Sequence, residues 1–483
     1  MTPDLLLFAA VALPAFAAVA MLVVAQHPLA RDVGALISAV VLLLLTAAIL
    51  AMLDPADWLG VILAPLFAGV PVRLVGEPVG ATGALLASFA WLIAVFWSLA
   101  APAARRPRHP TRFFVCGSAG MAAAVGCLYA GNLLSQITFE AGLLLATSLM
   151  LAPSRNEEET ATHPILLLLI AAMFLAMVAA AWTFLVAGSV EFRPGGSFAG
   201  ATDRNVAGLI LAIFALAGTR FALLPGLRGS LVLGRSEVPV QIYVATIVVL
   251  IGGAIPFAKA TLYVIGPATL REIGGIDVIG TLAIAALLVL ALRLRGAALA
   301  ERALGLPAVQ TIAVAVTLFS AHQAGTLAAL IVLAAGVLAV LALLPVVALL
   351  ADGLGPTIAT LRGEGSRTPW LSGCLLAIAA SLLALPPTAG FIGTWYGVLT
   401  TATTAVTGPI VLGLAPLVAA IAVLPMCQQL LFARPDVSSL RQRLPLGWTA
   451  MLPALVATVV LLVAPAVIDQ MLPTFAGLLP RGP

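Results

Sequence analysis

The stretch Gly218–Gly266, GTRFALLPGLRGSLVLGRSEVPVQIYVATIVVLIGGAIPFAKATLYVIG, is two apolar runs joined by a short basic loop. Arg220 falls near the end of the first run and Lys259 deep in the second. Lys259 is the only lysine in 483 residues, so 22 of the 23 lysines and arginines are arginine. A cation inside an apolar run costs about 2.5–3.5 kcal/mol on insertion scales, which makes Lys259 a candidate functional residue. The same run carries Gly252, Gly253 and Pro256, which can break a helix inside a bilayer where protein or water satisfies the freed backbone groups. The structural alternative is a lysine near a helix end that snorkels to the interface.

The rest of the chain has the same character. Hydrophobic residues make up 62% and charged residues 9%, with a mean hydropathy of +1.17. Repeated apolar runs of 18 or more residues indicate an all-α polytopic membrane protein, not a barrel. The expected spans number about fourteen: 4–26, 32–53, 80–101, 113–130, 132–152, 164–187, 205–225, 239–265, 275–292, 307–321, 324–351, 371–404 (interrupted), 408–432 and 449–471. The proline-containing segment 57–72 reads as an excursion outside the membrane. The first run follows Asp4 and no basic residue, and reads as a retained helix. Cys116, Cys127, Cys374 and Cys427 lack metal-like spacing and read as small core residues.

Arginine placement sets the expected topology. The odd-numbered loops hold 16 arginines, and the even ones hold only Arg73, Arg193, Arg204 and Arg271. The positive-inside rule then puts the odd loops in the cytoplasm and both termini on the outer, periplasmic side of a bacterial inner membrane. A pI near 9.2 from loop arginines gives no reason to expect nucleic acid.

Few polar groups lie inside the spans. Glu140 is in mid-run, with Gln136 one turn earlier on the same helix face. A carboxyl there is either a proton-carrying site or a structural group bonded to a neighbour. Gln241, Gln310, His322 and Gln323 extend a candidate polar file; His322 also reads as a solvated histidine at a helix end. In the twelfth span, LALPPTAGFIGTWYG (Leu383–Gly397) places Pro386, Pro387 and Gly390 at a second expected helix break. Paired broken helices in two halves of a chain point to an ion pathway.

These motifs together resemble the antiporter-like subunits of respiratory complex I and, more closely, the D-type subunits of Mrp cation/proton antiporters. The resemblance runs from about span 3 to span 13. PPTAGFIGTWYG is similar to the family's broken twelfth helix, and YAGNLLSQITFEAGLLLATSLM to the stretch carrying its membrane glutamate, here Glu140. Arg220 to Gly266 aligns without gaps with helices seven and eight, Arg220 replacing a lysine five residues before Pro225. WTFLVAGSVEFRPGG (Trp182–Gly196) is similar to the loop after helix six in the D-type branch.

The resemblance implies two inverted five-helix repeats, spans 4–8 and 9–13. The corresponding divisions are an N-terminal three-helix segment (1–112), the repeats (113–266 and 267–432) and a C-terminal helix (433–483). It also implies proton movement through buried charges, with Glu140 paired to Arg220 and Lys259 at a second basic position; His322, Gln136 and Gln241, read from the residues themselves, are expected along the same pathway. The chain departs from the family at Ile251, Ala245, Thr394 and near Ala328, where the family has titratable residues; arginine at 220 stays protonated.

The leading expectation is a membrane subunit of a cation/proton antiporter or complex-I-like oxidoreductase arm, conducting protons with water bridging the missing groups. The alternatives are a non-conducting structural subunit of such an assembly and a stand-alone carrier of a small solute. The expected partners are sibling membrane subunits, protons, Na+ as a candidate cation, and the lipid bilayer. No P-loop, cysteine cluster, catalytic triad or other cofactor motif is present, so no cofactor is expected. Any redox chemistry, NADH:quinone oxidoreductase-like or hydrogenase-like, would belong to the partners.

Overall fold

Eleven helices among the described residues are long and apolar enough to cross a bilayer, as expected of a multi-pass membrane protein. The computed structural model describes residues 3–433 apart from 54–58, 68–69, 101–106, 153–162, 194, 199–202, 204, 215–235, 320–322 and 367–368. Beyond 433 it describes only 455, 458–459 and 461–462.

Helices α1 (Pro3–Val23) and α2 (Pro28–Met52) lead into a hairpin of β1 (Leu59–Phe67) and β2 (Val70–Gly76). Helices α3 (Pro78–Ala100), α4 (Pro110–Leu128), α5 (Leu133–Leu151) and α6 (His163–Ala187) follow. Asn205–Phe214 forms the short helix α7, the described part of the seventh expected span. Next come α8 (Val238–Ile265), α9 (Pro267–Glu272), α10 (Gly275–Arg295), α11 (Leu299–Leu318) and α12 (Gln323–Leu354). Helices α13 (Pro369–Leu382), α14 (Ala389–Thr401) and α15 (Thr407–Phe432) complete the described chain. Several helices begin on proline (Pro28, Pro78, Pro110, Pro267), whose missing N–H costs nothing at a first turn.

The excursion expected over 57–72 is this antiparallel hairpin, pairing Leu59 with Gly76 and Ile62 with Arg73. The interrupted twelfth span is two helices, α13 and α14, separated by the Pro386–Pro387 turn. The eighth span behaves differently around Gly252 and Pro256. It stays helical, α-wound over Gly252–Ala260, between two wider π-wound stretches, Tyr243–Ile251 and Thr261–Ile265. Changing the winding re-pairs backbone groups that a proline would leave open, so the chain need not unwind.

Helix α8 is the most buried helix of the described residues, with only Phe257, Leu262 and Tyr263 half-buried, and α12 is nearly so, whereas α2 and α6 keep most of their surface outward. Lipid is as apolar as leucine, so helices associate through close packing of small residues and not through hydrophobic exclusion. A Cβ on Gly83 would strike the Ile255 side chain, and one on Gly120 the Tyr243 hydroxyl, so α3 and α4 approach α8 at glycines. Tyr243 also meets Trp91 edge-on, with ring centroids 5.7 Å apart.

The connections sort into two ends, as the arginine alternation requires. At one end, Val75 N–H donates to Tyr129 O (2.6 Å), Leu133 N–H to Val190 O (2.9 Å) and Ser197 N–H to Val264 O (2.7 Å). These bonds stitch the second, fourth, sixth and eighth connections together. At the other end, Arg31 donates to Thr111 (3.0 Å), Arg112 to the Ala152 carbonyl (2.8 Å), and Arg108 lies 3.8 Å from Glu237. Those residues belong to the first, third, fifth and seventh connections.

Candidate functional site

Most buried hydroxyls in the spans explain themselves locally. Thr46, Ser88, Thr147, Thr183, Thr246 and Thr317 each donate to the carbonyl four residues earlier in their own helix. This is the usual way for a small polar side chain to satisfy itself in a bilayer. Fewer side chains bridge elements instead, and Gln136 and Lys259 are two that do so at α8.

Glu140 is buried in α5 and accepts a hydrogen bond from the Gln136 side-chain amide, 3.2 Å away. The same Gln136 nitrogen donates to the Pro256 carbonyl of α8 at 3.0 Å. Buried Gln136 Oε1 receives no hydrogen bond. The one-turn spacing read from the sequence therefore brings Gln136 and Glu140 together, and Gln136 fastens to the proline of the α-wound stretch.

One turn beyond Pro256, Lys259 is 2% exposed and does not snorkel. Its Nζ lies 2.7 Å from Glu77 Oε1, an ionic contact whose angle falls short of a well-aligned hydrogen bond. Nζ also donates to the carbonyls of Leu128 (2.8 Å) and Ala130 (3.0 Å) and stands 5.5 Å from the Phe192 ring centroid. Glu77 is itself 2% exposed, and the Tyr263 hydroxyl faces its carboxylate. Sequence reasoning missed Glu77. It lies 182 positions from Lys259, between a strand and a helix, where a carboxylate reads as solvated.

Of the other expected site residues, Gln241 sits at the opposite end of α8, donating to the Ser236 carbonyl at 2.9 Å, away from this cluster. Arg220 and His322 lie outside the described residues, so the expected Glu140–Arg220 pair does too. Gln323 begins α12. Pro386 and Pro387 form the turn between α13 and α14, and Gly390 in the first turn of α14 is required because a Cβ would strike the Ser381 carbonyl.

Beside that turn lies a cavity of about 20 Å³, room for about one water, lined by Gln310, Ser381 and Thr394 among apolar neighbours. Its polar lining is neutral. The second half does hold a buried cation, Arg302 in α11, whose position in the sequence reads as a loop. Its guanidinium donates to the carbonyls of Ala297 (2.9 Å), Arg295 (2.6 Å) and Ile421 (2.7 Å). Ile421 is four residues before Pro425, which has no N–H to give it, so Arg302 replaces a missing helix bond.

Among the described residues no group of three or more histidine, cysteine, aspartate or glutamate side chains could hold a metal, and none of the four cysteines is in a disulfide.

The chain aligns along almost its whole length with chains of membrane complexes. A chain of the Mrp complex from Dietzia sp. DQ12-45-1b superposes with a TM-score of 0.82 at 17% identity, covering 99% of this chain and 97% of that one. The fold is theirs. A chain of respiratory complex I from Thermus thermophilus gives 0.71 at 18% identity, over 97% of this chain and 99% of the other. A chain of an archaeal membrane-bound sulfane sulfur reductase gives 0.75 at 15%, over 96% and 77% respectively. No protein-family model and no curated protein sequence matches the chain. At these identities the agreement is one of fold.

Proposed function

We propose that the chain is a membrane subunit of a multi-subunit cation/proton antiporter or complex-I-like membrane arm, and that protons cross its first half by way of Glu140. The observation that carries this reading is the Glu140–Gln136–Pro256 junction, a buried carboxyl tied through Gln136 to the α-wound turn of the almost wholly buried α8. The whole-length likeness in fold to chains of Mrp and complex I assemblies supports it.

The chemistry suits a proton site. The Gln136 NH2 donates to an ionised Glu140; turned about its last torsion, the amide presents its oxygen to a protonated one. One side chain thus serves both states without a large movement. Lys259, a turn away on α8, is the cation of the same string, which runs from the even-numbered connections inward. The arginine count supports placing those connections outside, with both termini on the periplasmic side of a bacterial inner membrane. Spans 4–8 and 9–13 form the two repeats in this reading, with Arg220 and His322 extending the file and Na+ as a candidate exchanged cation.

A second reading, a structural subunit that conducts nothing, is favoured by the neutral lining of the second-half cavity, where Thr394 stands beside Gln310 and Ser381. Assembly membership is tested by purifying the tagged chain in mild detergent from its native membrane. Sibling membrane subunits in fixed stoichiometry, with loss of proton-coupled exchange on deletion of this chain, are expected. A chain that purifies alone and transports alone would contradict it.

A further inference from the structure

The Lys259–Glu77 pair is an odd thing to bury. The ammonium donates to the carbonyls of Leu128 and Ala130 and lies 2.7 Å from a Glu77 carboxylate oxygen, so three oxygens surround it. Such a pair gains little stability over apolar side chains of the same volume, because desolvating both charges offsets their attraction. Yet the only lysine of the chain is placed here. Glu77 immediately precedes α3, and its own carbonyl accepts from Ala81 N–H (2.8 Å), so the start of α3 fixes its backbone. A helix N-terminus is also a favourable place for a carboxylate. The first turn of α3 presses on the Leu128 carbonyl, since a Cβ on Gly80 would collide with it. The ammonium is thus held by α3, by the end of α4 and by the connection after it, while its own backbone belongs to the stretch that offers the Pro256 carbonyl to Gln136.

We propose that Glu77 is a positioning residue for proton movement: it holds the Lys259 ammonium in its three-oxygen seat, one helical turn from the Pro256–Gln136–Glu140 junction, and the two charges work as one unit. This rests on the conducting reading above. No bond is made or broken. The carboxylate supplies the counter-charge that keeps the cation in place, and without it the ammonium retains only two neutral carbonyls and an aromatic ring.

The test is proton-coupled cation exchange by the whole assembly in vesicles, normalised to assembled complex, for wild type, Glu77→Gln, Glu77→Asp, Lys259→Met and the double variant Glu77→Gln/Lys259→Met, with Glu140→Gln as reference. Glu77→Gln is expected to lower the maximal rate at least tenfold with an apparent KM for the cation within twofold of wild type. Glu77→Asp, which keeps the charge but draws it back by one methylene, should fall between. The double variant should be no worse than Lys259→Met alone. Wild-type rates per complex in Glu77→Gln, or single effects that multiply in the double variant, would overturn the proposal. If Glu77→Gln does not assemble, Glu77→Asp carries the test, and a wild-type rate there overturns it. Loss of flux in Glu140→Gln with none in Glu77→Gln sinks this inference alone, whereas full flux in Glu140→Gln sinks the conducting reading.

Discussion

Single residues in this protein divide by what their polar atoms are bonded to. Arg302 and Gln136 both serve a carbonyl in a proline-bearing helix, but Gln136 also touches a carboxyl and Arg302 does not. Arg302→Ala is therefore expected to act on stability. Leaving the Ile421 carbonyl and its neighbours without donors costs about 1–3 kcal/mol per buried group, read as a lower unfolding temperature in detergent. Exchange per folded complex should be unchanged. Gln136→Leu should do the reverse, cutting exchange severalfold through loss of the amide at Glu140 with a smaller change in unfolding temperature; equal exchange would remove Gln136 from the pathway. Glu140 and Gln136 are legible in the sequence because a four-residue spacing on one helix fixes a shared face. Glu77 is not, because tertiary folding alone brings a connection residue to a lysine 182 positions away. Arg302 reads as a loop charge because only three residues separate it from the helix start, a distance that composition does not resolve.

At the scale of elements, the two proline sites have different outcomes for a physical reason. Pro386 and Pro387 are adjacent and followed by a glycine packed on the Ser381 carbonyl, and the helix stops and restarts. Pro256 stands alone between two stretches that widen to π winding, and the helix carries on. Nothing in the glycine and proline pattern distinguishes these, because winding answers to packing on all sides of an almost wholly buried helix. The end of α8 is held as tightly. Gly266 has φ of +86° and meets the Gly195 carbonyl, joining the sixth and eighth connections. Gly266→Ala places a Cβ both in a strained backbone region and against that carbonyl, at a cost of about 1–3 kcal/mol. A lower unfolding temperature and faster proteolysis within 188–204 should follow; unchanged values would mean the contact is not made.

At the scale of the molecule, composition and arginine spacing carry the all-α membrane architecture and the alternation of connections. The described spans fall close to where the apolar runs put them. The hairpin is not legible as strands, since a short proline-containing stretch carries little periodicity. The proposed sidedness rests on the arginine alternation. In a background lacking the four native cysteines, Arg193→Cys should react with a membrane-impermeant maleimide only from outside, and Arg108→Cys only from the cytoplasmic side. Labelling of both from one face would refute the span count.

In the proposed function, Glu140 carries protons through the first half of the chain. The most direct measurement is proton flux in vesicles bearing the complete assembly, wild type against Glu140→Gln, with subunit stoichiometry checked in each. A loss of flux of at least tenfold, about 1.4 kcal/mol or more in barrier, is expected at normal stoichiometry. Unaltered flux in Glu140→Gln would contradict it and leave a chain that shares the fold and conducts nothing through this site.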